Sequence, residues 1–591
     1  MMAIFKALVI AAALLVVIVL LLIFITSGRQ ISTKIATYNS SVSALLLSNW
    51  VNDSALIYTG IPNPEIGLEG IPYISDIMLE GYGLLNYRFY MLGGNSTKAV
   101  LSLNNQILIN RTNATDLISL PLDSNSMVIE QNSSGINEFL FEMNGNNSHL
   151  IKNDTLILGS NPTVYLYSPN SSFKVLINNS KTYAYILGSG NSSVIVSFSA
   201  PPSSLPALLS ENDAKIHRWL DDSVNISLGG SFLNEYHTSL LLIKDDQNPI
   251  TGEFAASPSP IYLYAWVRDG SFAAMALQDA GHVNSAEKYW SWMASVQNGN
   301  GTWYTRYNFW NSVPDTSYGI PEYDSLGLFQ TGITSLFNLT HDSALVSGFI
   351  PTINKSLRWE ELNINKSKFQ LIPEDLSIWE DVLAYNFWTQ AIDLLGMKQS
   401  SYLFSSFGLP TTVINRYSNS LNNSIQKYFY NGTYYAEYAT TAEIYINGSG
   451  SLTLLPSMIA DSSSILPIAL GLVSVNSVQA KSDINSMIKA LTKEGGLARF
   501  TGDNYHYTLA LRDSSGPMPP WIITTLFLAY YYEKIGNHTG ALNMMTWAIS
   551  HSQNGLLPEA IDPNHGNPLQ TTSPLTWSSA MYVITALNYK S

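Results

Sequence analysis

The 591-residue sequence predicts a multidomain chain: an all-β antiparallel sandwich, then an all-α double ring of helices, behind an N-terminal transmembrane helix. Three observations carry this expectation. An uninterrupted apolar run covers Ala7 to Thr26, about the length that spans a bilayer. Short β-rich runs bounded by Asn, Ser and Gly recur from Ile57 to Ser199. Beyond Ser231 the hydrophobic period is helical and stays so. The expected boundaries are 1–30 for the anchor, 31–205 for the β-sandwich, 206–230 for a linker helix and 231–591 for the helical domain.

The apolar run follows Lys6 and precedes Arg29. A cleaved signal peptide has a shorter apolar core, about 7–15 residues, so the segment reads as an uncleaved single-pass anchor. Were it cleaved, the rest would be secreted, and "KALV" at Lys6–Val9 resembles a pilin-type processing site. N-x-[ST] sequons occur along the whole chain, as at Asn95, Asn110, Asn113, Asn153, Asn300 and Asn537. They place the bulk of the chain outside the cell. From Ile31 to Leu56 the periodicity is mixed, and a helical stalk is expected there.

The runs "NQILIN", "TLILG", "TVYLYS", "FKVLIN" and "SVIVSFS" are spaced by roughly 8–12 residues, the pattern of an antiparallel sandwich. "PPSSLP" punctuates their end, and "ALLSENDAKIHRWLDD" reads as one amphipathic linking helix. About a dozen helical segments follow, several ending in Gly or Asn. They include "SFAAMALQDAG", "DVLAYNFWTQAIDLLG", "TVINRYSNSLNNSIQKYF" and "WIITTLFLAYYYEKIG", with two vaguer ones near Ser343 and Ile459. Long aromatic-rich loops lie between alternate pairs.

Composition narrows the partners. A net charge of -14 argues against nucleic acid, because phosphate binding needs a basic face. With no cysteine, disulfides and thiolate metal sites are excluded, and the nine histidines lack the H-x-x-x-H spacing of a zinc site. Charged residues are 12% of the chain, about half the usual share, so the surface is polar through Asn, Ser, Thr and Tyr. Such a surface suits an acidic exterior, and equally a heavily glycosylated one.

Four loops gather the residues with chemistry. "IYLYAWVRDGS" holds Arg268 and Asp269; "SIWEDV" holds Trp379, Glu380 and Asp381; "GGLARFTGDNYHY" holds Arg499 and Asp503; "NGLLPEAIDPNHGNP" holds Glu559 and Asp562. Charged groups beside aromatic rings suit a sugar, whose hydroxyls take bidentate charged partners while its C–H faces stack on rings. Each residue has an ordinary alternative. Asp269 reads as an N-cap, Glu380 and Asp381 as first-turn acids, and Arg268 and Arg499 as buried ion-pair partners. Glu559 reads as an exposed loop acid, and Trp379 and Trp521 as core.

In order along the chain, "YAWVRDG", "WED", "ARFTGDNYHY…PPWIITTLFLAYYY" and "GLLPEAID…SPLTWS" resemble the successive signature segments of glycoside hydrolase family 15, the glucoamylase and glucodextranase family. "YHTSLLLIKDDQNPITGEFAASPS" and "YDSLGLFQTGI" resemble its prokaryotic branch. The resemblance runs from Phe232 to Asn588 and implies an (α/α)6 barrel catalytic domain preceded by the β-domain and linker helix. It further implies that Glu380 is the general acid and Glu559 the general base. By the same resemblance Arg268, Asp269 and Arg499 grip the terminal sugar, Trp379 and Trp521 wall its pocket, and Asp381 stands with the substrate-binding set beside the acid. Two positions depart from the family: Asp381 stands where Glu is frequent, and Arg499-Phe500 replaces Arg-Tyr.

The activity so implied is an inverting, exo-acting α-glucoside hydrolase acting on an α-linked oligo- or polysaccharide, with no metal or other cofactor. A trehalase or isomalto-oligosaccharide hydrolase of the same family is the alternative, and beyond it an inactive cell-surface glycan-binding protein or a surface-layer or filament component. Apolar crowding by Trp379 is expected to keep Glu380 protonated. Glu559, in a wetter loop, is expected to stay ionised.

Overall fold

The computed structural model describes residues 43–59, 70–122, 124–199, 205–259, 261–319, 321–446, 449–505, 516–569 and 572–590. Among these no helix is long and apolar enough to cross a membrane; the apolar run from Ala7 to Thr26 lies outside the described residues.

Fourteen strands between Ser43 and Ser197 form one antiparallel hydrogen-bonded network. Its spine is a pair of long strands, Ser126–Asn144 and Lys181–Ser197, matched from Lys181↔Asn144 to Ser197↔Ser126 with a bulge between Ser189 and Asn191. One half of Ser126–Asn144 pairs with Ala114–Ser119, the other with Tyr87–Met91. The network therefore bends into two arms, and Ser43–Ser48 and Ser54–Thr59 lie against Gln106–Arg111 and Ser96–Leu101 without pairing to them. Alternation of residue type drives this packing. In Val164–Tyr167, Val164 and Leu166 are buried while Tyr165 and Tyr167 are partly exposed.

The helical stalk expected over Ile31–Leu56 is corrected in its described part. Ser43–Ser48 and Ser54–Thr59 are paired strands, Leu45↔Ile57 among them. Short apolar runs such as "ALLL" have no periodicity that separates strand from helix, and pairing decides.

The linking helix, Leu205–Asp221, buries Asn212, Ile216 and Leu220 on one stripe. Asn212 accepts from the Leu122 amide at 3.0 Å, fixing the helix to the β-region. Trp50 and Asn105 both donate to the buried carboxylate of Asp245, at 2.9 and 3.1 Å, and Asp245 ends the first helix of the ring.

Six helices contact one another in a closed cycle: Val267–Asp279, Asp324–Thr340, Phe387–Ser406, Ile465–Ala469, Ile522–Lys534 and Thr576–Asn588. They are buried nearly all round; from Ile522 to Tyr531 every residue is buried. Several of the helices that alternate with them in sequence bury one stripe. Thr412–Tyr428, for example, buries Ile414, Ser418, Leu421, Ser424 and Ile425. The closest approach in the cycle is at Gly327 and Gly396. A Cβ on Gly327 would collide with the Ile392 carbonyl, and one on Gly396 with the Gly327 backbone. The Gly327 amide donates to Asp393 Oδ1 at 2.9 Å across this contact.

Other expectations in this region need correction. The helix expected from Asp381 begins at Phe387, because Asp375 and Ala384 form a β-bridge and Tyr385–Asn386 pairs with a strand. Glu380 and Asp381 are therefore loop residues. Asp269 lies inside the first turn of its helix, whose N-cap is Trp266. The vague helix near Ile459 is the short Ile465–Ala469, and a hairpin, Tyr438–Ile446 with Ser449–Pro456, lies where no strand was expected.

Many acids are buried on neutral donors. Glu235 meets Ser239, Asp245 meets Trp50 and Asn105, and Glu253 meets Ser312; Glu360 meets Gln330, Asp375 meets Thr389, and Asp483 meets Ser464. Burial pushes Glu235, Asp245 and Glu360 up to about 8, and Glu253, Asp375 and Asp483 up to about 7. A carboxyl whose folded pKa is raised binds its proton more tightly when folded. Its stabilisation is full below about pH 4 and is lost as pH rises through the folded value. Lys244 and His282, lowered by burial to about 7 and about 3, act in the opposite sense but are outnumbered. The melting temperature is therefore expected to peak near pH 4–5 and fall steadily toward pH 8. Calorimetry across that range checks it; a melting temperature that rises from pH 5 to 8 contradicts it.

Candidate active site

Arg268 opens the helix Val267–Asp279, straight after the strand Tyr264–Trp266. Its side chain is 2% exposed and faces three acids. Nη1 lies 3.0 Å from Asp324 Oδ2 and 3.1 Å from Glu322 Oε2, while Nη2 donates to Glu380 Oε1. Trp388 adds a second donor to Asp324 Oδ2 at 2.8 Å. Asp269 is buried beside this cluster, and burial raises its carboxyl to about 7 against the pull of Arg268.

Glu380 has φ 54°, a left-handed conformation that side chains other than Gly seldom adopt. Its amide donates to the Leu376 carbonyl at 2.9 Å. The side chain is 29% exposed, the one acid of the Arg268 cluster that opens to solvent. Burial raises its pKa above the usual carboxylate range; Arg268, a hydrogen bond with Glu322 and Arg499 oppose that, and Asp381 adds to it.

The facing wall is aromatic. Trp379 donates to Asp461 Oδ2 at 2.8 Å and meets Trp521 edge-on at 5.7 Å. Arg499 is buried, held by Asp503 through two 2.8 Å hydrogen bonds. Its guanidinium lies 4.5 Å from the Trp521 ring centre, 4.6 Å from Tyr505 and 5.3 Å from Trp379.

Glu559 departs from expectation. It is 5% exposed, because its amide donates to the Thr572 carbonyl and its own carbonyl accepts from Ile522, with Ala560 bridged to Trp521. The proline-rich loop is thus covered rather than wet. Burial pushes the carboxyl up to about 7, opposed by a 2.6 Å hydrogen bond from the Tyr505 hydroxyl and by Arg499. Tyr262 lies 3.0 Å from the Tyr505 hydroxyl, extending the chain of donors.

The structure thus brings Glu380, Glu559, Arg268, Asp269, Trp379, Asp381, Arg499 and Trp521 together. Glu380 and Glu559 lie close enough that each charge acts on the same neighbours, Arg499 and Tyr262. Arg268 and Arg499 also fill their ordinary alternative as buried ion-pair partners. Sequence reasoning missed Glu322, Asp324, Tyr262 and Tyr505, although Asp324 lies in "YDSLGLFQTGI" and Tyr505 in "GDNYHY". Trp521 Nε1 and Trp577 Nε1 are buried with no partner among the described residues, two donors suited to sugar oxygens.

Several known proteins are similar to this chain. The family model described as glycosyl hydrolases family 15 matches residues 232–328. An uncharacterized glycosyl hydrolase of Methanocaldococcus jannaschii is 26% identical over 368 residues, covering 58% of this chain and 54% of that protein. The chain thus spans about half the length of that relative. Among solved structures, a bacterial glucoamylase complexed with acarbose shares the fold with TM-score 0.66 at 15% identity, covering 92% of this chain and 93% of its own. A glycosidase in complex with glucose matches with TM-score 0.50 at 18% identity, over 61% of this chain and 97% of its own. The chain shares its fold with both of these proteins. The chain is glycoside hydrolase family 15-like.

Tyr505 stabilises ionised Glu559, so Tyr505→Phe should raise the Glu559 pKa further. The acid limb of kcat/KM should then move up by about one pH unit, the size of one hydrogen bond to a charged group. A pH–rate series on the variant measures it; a limb that stays put or moves down rules out this role for the tyrosine.

Proposed function

We propose that the chain is an exo-acting inverting α-glucoside hydrolase releasing β-glucose from the non-reducing ends of α-glucans or malto-oligosaccharides. The observation that supports this most is that Glu380 and Glu559 both act on Arg499, itself ringed by Trp379, Tyr505 and Trp521, while each is held by different partners. The fold shared with a glucoamylase bound to acarbose supports the substrate class. We read the cycle of six helices as the inner ring of an (α/α)6 barrel, with the site at one mouth.

Glu380, protonated, gives its proton to the glycosidic oxygen as the C–O bond breaks. Glu559, ionised, takes a proton from a water that attacks the anomeric carbon from the opposite face. An inverting pair stands about 6.5–9.5 Å apart to hold that water. Arg268 acts through Glu380, whose conjugate base it stabilises, while Asp269 and Arg499 bind the terminal sugar and Trp379 and Trp521 stack against it. The acid limb of the pH profile belongs to Glu559 and the alkaline limb to Glu380. Membrane anchorage with the bulk outside the cell belongs to the same proposal, supported by the apolar run at Ala7–Thr26 and the sequons.

Glu380→Gln and Glu559→Gln should each lower turnover about 10²–10⁴-fold with sugar binding largely kept, and Asp381→Asn should cost less. Glucose release from maltose, starch, isomaltose and trehalose decides the linkage, and release from none of them leaves a glycan-binding protein. Proton NMR in the first minutes should show the β-anomer of glucose before mutarotation; an early α-anomer rejects inversion and the roles given to both glutamates.

A further inference from the structure

Glu322 and Glu380 share one guanidinium, Glu322 on Arg268 Nη1 and Glu380 on Nη2, so their carboxyl groups are neighbours. With Asp324 on the same cation, two ionised carboxylates side by side would repel, and a proton on one turns the contact into a hydrogen bond. One of the pair carries a proton, and the surroundings identify which.

Arg268 is one cation beside Glu322, Asp324, Glu380 and Asp269. Asp324 has Arg268 and the Trp388 N–H. Glu380 takes Arg268 Nη2, feels Arg499, and is partly open to solvent. Glu322 is 3% exposed and shares Nη1 with Asp324. Its other oxygen, Oε1, is buried with no donor. As a carboxylate oxygen it would be orphaned, which is unfavourable in a buried site; as an O–H it is the missing donor. We propose that Glu322 is a positioning residue for the acid: it keeps its own proton and donates it in a hydrogen bond to Glu380. This rests on the reading of Glu380 as the general acid.

Burial raises the Glu322 carboxyl well above its usual range, and the charges of Glu380 and Asp324 add to this against Arg268. In each turnover Glu380 gives its own proton to the leaving oxygen, which keeps the electron pair of the broken bond. The Glu380 carboxylate left behind receives the Glu322 O–H and the Arg268 N–H as hydrogen bonds. Glu322 transfers nothing; solvent returns the proton to Glu380. Glu322 therefore makes Glu380 a stronger acid than burial alone would. The other charged or titratable groups facing Glu380 are Asp381, Arg499, Tyr262, Tyr318 and Glu559.

The sign of a pH shift tests this. Glu322→Leu removes the donor, so ionised Glu380 loses support. The alkaline limb of kcat should move up by about one pH unit and kcat should fall roughly ten- to hundredfold. Glu322→Gln offers an N–H in place of the O–H and should recover part of kcat with a limb nearer the original. Were Glu322 ionised, both variants would remove a negative charge beside Glu380 and move the limb down, which overturns the proposal; so does a limb unmoved in Glu322→Leu. If Glu322→Leu does not fold, infrared difference spectra at pH 6 decide. Protonated-carboxyl absorption should be lost in Glu322→Gln relative to the parent, and no loss overturns the proposal. Glu380→Gln is run alongside. Turnover kept in that variant removes the acid assignment itself, whereas turnover lost there with an unmoved Glu322→Leu limb removes only the role of Glu322.

Discussion

The site depends on one buried guanidinium. Arg268 joins three separate stretches: its own helix start, the helix start at Asp324 with Glu322 just before it, and the loop at Glu380. Burying so many acids around a single cation is unfavourable unless every partner is placed, because an unmatched charge in such a setting costs several kcal/mol. The Trp388 N–H on Asp324 and the solvent-facing side of Glu380 supply what one arginine cannot. The helix cycle is what sets these groups within reach of one another.

The two glutamates are held by different physics. Glu380 is tied to a cation and a neighbouring acid in a strained backbone conformation; Glu559 is tied to a chain of tyrosine hydroxyls inside a covered loop. Burial raises both, and Arg499 acts on both from between the aromatic rings. The protonation states of the pair are therefore linked, and a change of charge at one carboxyl shifts the apparent value at the other.

Much of this was legible in the sequence, for stated reasons. β-Rich runs bounded by Asn, Ser and Gly gave the strands of the β-region, and a helical hydrophobic period gave the helices beyond Ser231. The loops carrying Arg268, Trp379, Glu380 and Arg499 stood out because charges sat beside rings, and that of Glu559 because acids sat among prolines. What was misread depended on partners distant in sequence. Ser43–Ser48 looked helical because pairing with Ser54–Thr59 cannot be seen in an apolar run alone. The hairpin at Tyr438–Pro456 had a visible signal, "NGSG" between β-rich runs, that a helical expectation hid. Glu559 looked wet because prolines mark loops; its cover comes from Thr572, Ile522 and Trp521. Glu322 carried no local mark at all, since its meaning lies in Arg268, more than fifty residues away.

The glycine contact between Asp324–Thr340 and Phe387–Ser406 has a mechanical consequence. With no side chain between them, Gly327 and Gly396 let two backbones touch, and Asp324 and Trp388 sit on those same two helices. That seam cannot slide or spread without breaking the bond between Asp324 and Trp388 and freeing Arg268. It is a fixed jaw. Trp379 and Trp521, which meet edge-on, and the loops around Arg499 and Glu559 lie outside this seam.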